Sequence, residues 1–273
     1  MTLRMAHLSD IHFGGENREA VSGVATWIAQ HRPDLAVITG DVTREGAEPE
    51  FKSALTWINS LAVESVVVPG NHDTPYFSLS RRLFAPWKRY ERHFGQVQRP
   101  SFRRAGLAIA TVNTARGIQL RANWSKGAIS AGQVSGAIKA LATAPAGALK
   151  VVACHHPLIE MIGGPMSGLV HGGHDAAVAL SEAKIDLVLT GHVHAPFALP
   201  YPGGDGRTWA VGASTLSIRE RGVPIGFNAI QIEDACVTVT AQAWTGSHFE
   251  PWRTWIIDRR APANRAANEN GGG

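Results

Sequence analysis

Residues Val66 to Asp73 read VVVPGNHD, three valines that run directly into a polar turn. A short run of β-branched apolar residues that ends at Pro and Gly is typical of a buried β-strand. Asn71 and His72 are poor choices for a purely structural strand end, because amide oxygens and imidazoles bind hydrogen-bond partners and metal ions. The stretch therefore predicts a core strand that ends at a chemically functional turn.

The same arrangement, a strand followed by a polar cluster, occurs at four other places in the chain. The apolar runs are AHLS, LAVITG, VVAC and LVLTG, and each ends beside carboxylate or imidazole side chains. The residues that follow these runs are Asp10 and His12, Asp41, His155 and His156, and His192 and His194. In an α/β sheet the carboxyl ends of the strands lie at one edge, where ligands bind. The five clusters are therefore expected to converge in space.

The periodicity predicts an α/β architecture, because short apolar runs alternate with amphipathic segments. Strands are expected at Leu3–Leu8, Leu35–Thr39, Ser65–Val68, Leu107–Val112, Leu149–Cys154 and Ile185–Thr190. Helices are expected at Ala20–Gln30, Pro49–Leu61, Leu79–Phe94, Ala131–Ala142 and Ala176–Glu182. Beyond residue 195, four antiparallel strands are expected to extend a second sheet: Phe197–Tyr201, Thr208–Gly212, Phe227–Ile232 and Val237–Ala243. We expect one domain over residues 1–260 and a flexible tail at 261–273.

From the composition we expect a soluble, cytoplasmic protein. The 273 residues carry a net charge of +4 and a pI near 9.3, too weakly basic to indicate a nucleic acid polymer as partner. Two cysteines imply no disulfide framework and favour a reducing compartment. The N-terminus lacks the apolar core of a signal peptide, and no apolar run reaches the roughly 18 residues that span a bilayer.

The side chains at the strand ends are carboxylates, an amide and imidazoles, a set that suits Mn, Fe, Zn or Co. The candidate ligands are Asp10, His12, Asp41, Asn71, His155, His192 and His194. Seven groups are too many for one tetrahedral ion and fit two ions that share a bridging carboxylate. Asp10 and His12 stand two apart, so an extended segment would point both to one side. If His192 and His194 contact different ions, their segment must curve. Glycines precede several ligands, where a missing Cβ atom leaves space near a metal.

The ordered set LSDIH, TGDVTREG, VPGNHD, CHHP and TGHVH resembles the calcineurin-like metallophosphoesterase superfamily. It is most similar to the bacterial branch of cyclic-nucleotide phosphodiesterases and glycerophosphodiesterases. The resemblance covers residues 5 to about 215. It implies an α/β fold in which two mixed β-sheets pack face to face in a four-layer α-β-β-α sandwich.

The resemblance also implies a binuclear metal centre, with manganese or iron favoured. The first ion would be held by Asp10, His12, Asp41 and His194. The second, bridged to the first through Asp41, would be held by Asn71, His155 and His192. A metal-bridging hydroxide would attack phosphorus. His72 would donate to a nonbridging phosphate oxygen or protonate the leaving group, with Asp73 orienting it through the other ring nitrogen.

The leading functional hypothesis is hydrolysis of a small phosphodiester, with a cyclic nucleotide favoured. Alternatives within the enzyme class are a broad-specificity glycerophosphodiesterase, a phosphomonoesterase, a UDP-sugar pyrophosphohydrolase of the lipid A pathway, and a DNA-repair nuclease. A non-catalytic scaffold is an alternative from a different class, although scaffolds usually lose ligands. The aromatic stretch beyond residue 245 suggests a contact surface, so a homodimer is also a hypothesis.

Several residues near the motifs remain open to more than one interpretation. Cys154 is expected to point into the core, because strand residues alternate and His155 faces the metals. His156 has either a substrate or a supporting role. Loop 160–174, which carries His171 and His174, could cover the site or be solvated. Arg81, Arg82 and Arg219 either bind phosphate or form charged surface. Asn113 stands where relatives often carry an aspartate, so we expect different hydrogen bonding near the site but no loss of a metal ligand.

Overall fold

The computed structural model describes residues 2–98, 101–119, 123, 125–160, 170–201 and 204–260. Its strands are β1 (Leu3–Leu8), β2 (Leu35–Thr39), β3 (Ser65–Val68), β4 (Phe102–Arg104), β5 (Leu107–Thr111), β6 (Leu149–Ala153), β7 (Leu187–Thr190), β8 (Phe197–Pro200), β9 (Trp209–Gly212), β10 (Gly226–Ile232), β11 (Cys236–Trp244) and β12 (Phe249–Asp258). Its helices are α1 (Arg18–His31), α2 (Glu48–Ser60), α3 (Leu79–Phe84), α4 (Lys88–Phe94), α5 (Ala131–Ala142) and α6 (Gly173–Glu182).

The strands form two mixed sheets of six strands each. The first has the order β12-β11-β10-β1-β2-β3, in which β1, β2 and β3 are parallel and β10 to β12 are antiparallel. The second has the order β4-β5-β6-β7-β9-β8, with four parallel strands and antiparallel edge strands β4 and β8. The α/β architecture is therefore confirmed.

Three apolar clusters hold the layers together. The central one joins the facing sides of the sheets, with Val37 of β2 and Val151 of β6 among its buried residues. A second packs α1, α2 and α4 on the outer face of the first sheet, and a third packs α5 and α6 on the second. Each fully buried aliphatic side chain stabilises the fold by about 1.5–3 kcal/mol. The expected α-β-β-α sandwich is the result.

The C-terminal strands differ from the sequence-based expectation. They do not extend one sheet, because β8 and β9 join the second sheet and β10 to β12 join the first. The expected antiparallel pairing of successive strands is confirmed for β8 with β9 and for β10 with β11, and β9 lies parallel to β7 on its other side. The aromatic stretch beyond residue 245 contains β12, which pairs with β11 along its whole length. A homodimer through this stretch stays a prediction.

The helix expected at Leu79–Phe94 is two helices. After Phe84 the backbone of Ala85 turns away, with φ −150° and ψ 54°, and α4 begins only at Lys88. Pro86 explains the break, because proline disfavours helical geometry at the preceding residue and lacks the N–H that a continuing helix needs. The side chains of α3 lie on the surface except that of Arg82, which is buried.

Two expectations about the extent of the fold remain as they were. A single domain over residues 1–260 stays a prediction, and the tail at 261–273 lies outside the described residues. Within the part of the chain that the structure describes, no helix is long and apolar enough to cross a bilayer.

Candidate metal centre

The strand-end clusters of the two sheets meet at one edge of the sandwich. Residues after β1, β2 and β3 come from the first sheet, and residues after β6 and β7 come from the second. Potential ligand atoms lie within 4.8 Å of one another in sets that include Asp10 with His12 and His194, and Asp10 with Asp41 and His155. Convergence across both sheets is therefore present.

An unusual backbone conformation accompanies this convergence. Left-handed φ angles between 49° and 68° occur at Asp10, His12, Asp41, His192 and His194. Non-glycine residues rarely adopt this region, and strained residues cluster at functional sites where the surrounding fold holds them. Main-chain bonds supply that hold, since the N–H of Asp10 donates to Gly40 O and that of His12 to Asp41 O, both at 3.0 Å.

These angles correct one local expectation and confirm another. Asp10 and His12 do not share an extended segment, because the chain leaves β1 after Leu8 and turns at both residues. Main-chain hydrogen bonds to Gly40 and Asp41, in the loop that follows β2, orient their side chains, and strand alternation does not. The segment that carries His192 and His194 does curve, as expected.

Asp10, His12 and His194 form one close cluster. The distance from Asp10 Oδ1 to His194 Nε2 is 3.2 Å, and that from His12 Nε2 to His194 Nε2 is 3.4 Å. Asp10 Oδ1 and His12 Nε2 are 3.8 Å apart. Ligand atoms held about 2.0–2.2 Å from one ion lie roughly 3–3.5 Å from each other. Two of the three distances fall in this range and the third is 3.8 Å, so the cluster is close to the spacing of ligands on one metal ion.

Asp41 connects this cluster with the second sheet. Its Oδ2 lies 3.8 Å from His12 Nε2 and 3.3 Å from His155 Nε2. The rings of His155 and His192 are 5.1 Å apart between centroids. One carboxylate oxygen thus stands between two histidine groups, which is the position of a bridging ligand in a two-metal site.

Three buried polar atoms at the centre lack hydrogen-bond partners within the described part of the chain, and metal ions would supply them. Asp10 Oδ1, Asn71 Oδ1 and His155 Nε2 are buried and make no well-formed hydrogen bond to a described residue. An unsatisfied buried polar atom costs about 1–3 kcal/mol. Carboxylate, amide oxygen and imidazole are together the ligand set of Mn, Fe, Zn or Co. Bound cations would satisfy all three atoms.

Backbone carbonyls fix which ring nitrogens face the centre. His155 Nδ1 donates to Thr39 O at 2.7 Å, and His194 Nδ1 donates to Arg219 O at 2.9 Å. A carbonyl oxygen can only accept, so each Nδ1 carries a proton. The Nε2 atoms are left as the electron-pair donors, an orientation usual for metal-binding histidines.

The electrostatics of the site also favour a cation. Burial lowers the pKa of His12 to about 4 and that of His192 to about 3, so both rings are neutral and can donate an electron pair to a metal. Burial acts in the same direction on His155, but Asp41 and Asp10 outweigh it and raise its pKa to about 9. The negative charge that holds a proton on His155 would equally attract a metal ion.

The GNHD turn is held differently from the expected arrangement. Asp73 accepts hydrogen bonds from the N–H of Gly70 at 2.8 Å and from both the N–H and the hydroxyl of Thr43 at 2.8 Å. His72 Nδ1 donates to Arg44 O at 2.7 Å instead. The expectation that Asp73 orients the His72 ring is therefore wrong. Asp73 fixes the turn that carries His72, because its carboxylate accepts from Gly70 within the turn and from Thr43 in the loop after β2.

His156 has a supporting role. Its Nε2 donates to Ser125 O at 2.8 Å, and its Nδ1 accepts from the Thr114 hydroxyl at 2.9 Å. Both ring nitrogens are thus engaged, although the ring lies only 4.5 Å from that of His192. His156 therefore holds the loop at Ser125 against the centre and leaves no nitrogen for a metal.

A pocket of about 710 Å³ opens in front of the centre. Its lining residues are Arg44, Glu45, Asn71, His72, Tyr76, Arg82, Asn123, Ser125 and Arg219. Arg82 and Arg219 had two interpretations, and both lie in this pocket. Arg44, Glu45, Tyr76, Asn123 and Ser125 were missed by sequence reasoning. Of these, Arg44 and Glu45 carried a usable signal, because they follow the expected ligand Asp41 within TGDVTREG.

Sequence reasoning also missed two hydrogen bonds that hold the expected ligand Asp10. The Ser9 hydroxyl donates to Asp10 Oδ2 at 2.6 Å, and the N–H of His192 donates to the same oxygen at 2.8 Å. A Cβ atom on Gly191 would overlap the Ser9 hydroxyl, so only glycine fits there. The sequence shows these residues but not their partners, which lie far away along the chain.

The remaining open residues lie outside the cluster of ligand atoms. Cys154 is fully buried and burial raises its pKa to about 12, which confirms a core position and excludes a reactive thiolate. His171 and His174 are exposed at the start of α6, and residues 161–169 of the supposed cover lie outside the described residues. Asn113 Oδ1 accepts from the N–H of Ala115 at 2.9 Å.

Two mixed sheets packed face to face, with Asp, Asn and His side chains at their common edge, define a metal-dependent phosphoesterase. The chain belongs to the Calcineurin-like phosphoesterase family, whose model matches residues 3–196. It is therefore a hydrolase of phosphoric esters.

Named relatives agree with this assignment, and a solved structure shares the fold. The chain is 24% identical over 249 residues to a probable cyclic nucleotide phosphodiesterase of Synechococcus sp., which covers 85% of this chain and 89% of the relative. It is 24% identical over 211 residues to a 3′,5′-cyclic-nucleotide phosphodiesterase of Nostoc sp., with 72% and 73% covered. A dimetal phosphatase from Danio rerio has the same fold, with a TM-score of 0.67, 10% identity, and 94% and 99% of the two chains covered.

Proposed function

We propose that this protein is a dimetal phosphodiesterase that hydrolyses a small phosphodiester, with a cyclic nucleotide as the favoured substrate. The position of Asp41 Oδ2 between His12 and His155, at 3.8 Å and 3.3 Å, carries the two-metal part of the proposal. The two cyanobacterial relatives named for cyclic nucleotides align over most of the chain and support the substrate.

We assign the ligands to two sites that share Asp41. One site comprises Asp10, His12, Asp41 and His194, and the other comprises Asp41, Asn71, His155 and His192. Manganese or iron is favoured among the metals that this donor set suits. When bound, two such ions would neutralise the charge of the diester and lower the pKa of a coordinated water toward 7.

His72 is the proposed proton donor. Its Nδ1 is engaged with Arg44 O, so Nε2 is the nitrogen available to substrate in the pocket. From there it would donate to a nonbridging phosphate oxygen or to the departing alkoxide. Asp73 contributes indirectly, because it fixes the turn that places His72.

The pocket supports a nucleotide-sized anion. Its volume of about 710 Å³ lies in the range of small-molecule sites. Arg44, Arg82 and Arg219 line it, and guanidinium groups bind phosphate oxygens with charge-assisted hydrogen bonds. Tyr76 offers an aromatic face on which a base can stack. A glycerophosphodiester lacks a base, so stacking on Tyr76 would favour the nucleotide.

The test is a substrate panel on protein reconstituted with manganese or iron. It compares cyclic AMP, glycerophosphocholine, bis(p-nitrophenyl) phosphate, p-nitrophenyl phosphate and a UDP-sugar. We expect the highest kcat/KM for cyclic AMP and loss of turnover after chelation. Equal turnover of the cyclic nucleotide, the generic diester and the monoester would refute the cyclic-nucleotide assignment. Turnover of no diester at full metal content would refute the phosphodiesterase itself, and turnover of none of the five compounds would favour a scaffold.

A glycerophosphodiester is the second candidate substrate. Over 80 residues the chain is 31% identical to a glycerophosphodiester phosphodiesterase of Enterobacter lignolyticus, a match that covers 25% of this chain and 29% of the relative. A higher kcat/KM for glycerophosphocholine than for cyclic AMP would select this candidate. Replacing Tyr76 with Ala sharpens the comparison, because it should raise the KM for cyclic AMP and leave that for glycerophosphocholine unchanged.

A cytoplasmic location and a homodimer are further proposals. Cys154 and Cys236 are both free thiols, which suits a reducing compartment. Strand β12 is an edge strand of the first sheet, so the backbone groups on its outer side can pair with a second copy. Light scattering on the purified protein tests the dimer, and a monomeric mass at all concentrations would refute it.

A further inference from the structure

Residues 76–84, directly after the GNHD turn, form an apolar patch on the surface. Ten large hydrophobic side chains are exposed in the described part of the chain, and half of them lie in these nine residues: Tyr76, Phe77, Leu79, Leu83 and Phe84. Phe77 is 80% exposed and Phe84 is 82% exposed. Concentrated apolar exposure of this kind marks a site of contact with a membrane or another protein.

A slightly longer segment, residues 76–94, accounts for the net charge of +4 of the whole chain. Residues 76–94 contain five basic residues and one acidic residue, so the rest of the chain has equal numbers of both. Basic side chains dominate a cleft of about 520 Å³ beside the patch, which is lined by Glu48, Pro75, Arg81, Ala85, Lys88, Arg89 and Arg92. Glu48 is neutralised there by Arg92, 2.9 Å away. The cleft is therefore cationic.

The segment is fixed to the body of the protein from its inner side. Arg82 is buried and its Nε donates to Gly117 O at 2.6 Å. In α4, the buried Tyr90 donates its hydroxyl to Val67 O at 3.0 Å. Leu79 and Leu83 stand four residues apart on α3, so both project from one face. These anchors keep the apolar side chains outward.

We propose that residues 76–92 form a docking surface for an anionic phospholipid bilayer. Phe77, Leu79, Leu83 and Phe84 would enter the boundary between headgroups and acyl chains, and the cationic cleft would bind headgroup phosphates. The combination of exposed apolar side chains with a concentrated positive charge matches this occupant. A second copy does not match it, because a two-fold contact would place the same positive surplus on both sides.

The proposal has a consequence for access to the active site. Tyr76 belongs to the apolar patch and also lines the active-site pocket. Arg82 of α3 lines the same pocket. A bilayer bound to residues 76–92 would therefore lie beside the mouth of the pocket. The docking surface itself does not depend on which phosphoric ester the site hydrolyses.

The experiment is sedimentation of the full-length, metal-loaded protein with lipid vesicles. We expect binding to vesicles of equal parts phosphatidylcholine and phosphatidylglycerol, weak binding to phosphatidylcholine alone, and release by high salt. Phe77→Ser combined with Phe84→Ser should lower the affinity for anionic vesicles about tenfold or more. Arg81→Glu combined with Lys88→Glu should lower it by a similar factor and remove most of the salt dependence.

Matched controls come from exposed residues elsewhere. Ile256→Ser on β12 removes a side chain that is 68% exposed, and Lys139→Glu on α5 reverses one exposed charge. Both should bind vesicles as the unchanged protein does, and circular dichroism with thermal melts establishes that every variant is folded. The proposal is wrong if the unchanged protein stays in the supernatant, or if the segment variants bind as well as the controls. It is also wrong if this face only joins two copies, seen as a dimer that Phe77→Ser with Phe84→Ser dissociates while vesicles bind nothing.

Discussion

The peptide N–H of His72 donates a hydrogen bond to Oδ1 of Asp41 across 2.8 Å. This bond occupies one carboxylate oxygen and leaves Oδ2 alone to face His12 and His155. Gly70 permits it, because a Cβ atom there would overlap Asp41 Oδ1. The GNHD turn and the central carboxylate are therefore one structural unit, which links placement of the proposed proton donor to the proposed metal bridge.

Adjacent histidines should separate metal binding from support of the pocket. His155→Ala removes an Nε2 that faces Asp41, and we expect bound metal, measured by inductively coupled plasma mass spectrometry, to fall below two ions per chain. His156→Ala removes a ring whose nitrogens already bond Thr114 and Ser125, so metal content should persist while KM rises. Equal metal loss in both variants would contradict the assignment of His155.

Replacement of His72 by Ala should lower kcat by roughly 10²–10⁴ with metal content intact, as expected when a general acid is lost. Steady-state kinetics on the reconstituted variant measure this. A diester with a good leaving group, such as bis(p-nitrophenyl) phosphate, should lose less than a cyclic nucleotide if His72 protonates the leaving group. Unchanged turnover of both substrates would refute a role in proton donation.

Asp73→Ala should destabilise the protein. It leaves buried donors of Gly70 and Thr43 without an acceptor, and each such group costs about 1–3 kcal/mol. We expect the free energy of unfolding in urea to fall by about 2–4 kcal/mol, and kcat to fall because the turn no longer fixes His72. Asp258→Ala, at the exposed end of β12, is the matched control and should have little effect on either quantity. Full stability of Asp73→Ala would show that the turn does not need this carboxylate.

His7 should make stability depend on acid. Burial lowers its pKa from 6.5 to about 3 in the folded state, although Asp10 opposes the shift. Between these values the unfolded chain binds a proton that the folded ring does not, so this contribution to stability is complete above pH 6.5 and is lost as pH falls toward 3. The slope for one such group is about 1.4 kcal/mol per pH unit.

The variant His7→Gln measures that slope by difference. Glutamine can donate to Thr39 and accept from Asn228, the two partners of His7, at distances now of 3.0 Å and 3.3 Å. Urea unfolding of both proteins between pH 4 and 6, inside the window set by the two pKa values, should show a weaker acid dependence for the variant. Parallel pH curves would exclude His7 as a source of acid sensitivity.

Several features were predictable because their signals are local. The valines before Pro69 and the apolar runs before Asp41 and His192 each place an expected ligand at the end of a strand. The parallel strands β1 to β3 and β5 to β7 follow from the alternation of apolar runs with amphipathic segments. Burial of Cys154, the residue directly after β6, followed from alternation along the predicted strand Leu149–Cys154.

Other features depend on partners that lie far apart along the chain. Asp73 binds Thr43 rather than the neighbouring His72, and β10 pairs with β1, more than 200 residues earlier. The left-handed conformations at Asp10 and His12 exist only because the β2 turn supplies their main-chain acceptors. No pattern within a short window reports such contacts.

The order of apolar runs and ligand types determined that this chain forms strands ending in a set of carboxylate, amide and imidazole groups. Only the tertiary structure decided which oxygen of Asp41 faces both histidine groups, which nitrogens of His155 and His194 are free, and where the apolar side chains of α3 point. The physical reason is that hydrophobic periodicity acts between neighbours in sequence. Hydrogen bonds such as that from His192 to Asp10, across 182 residues, arise only after the sheets have packed.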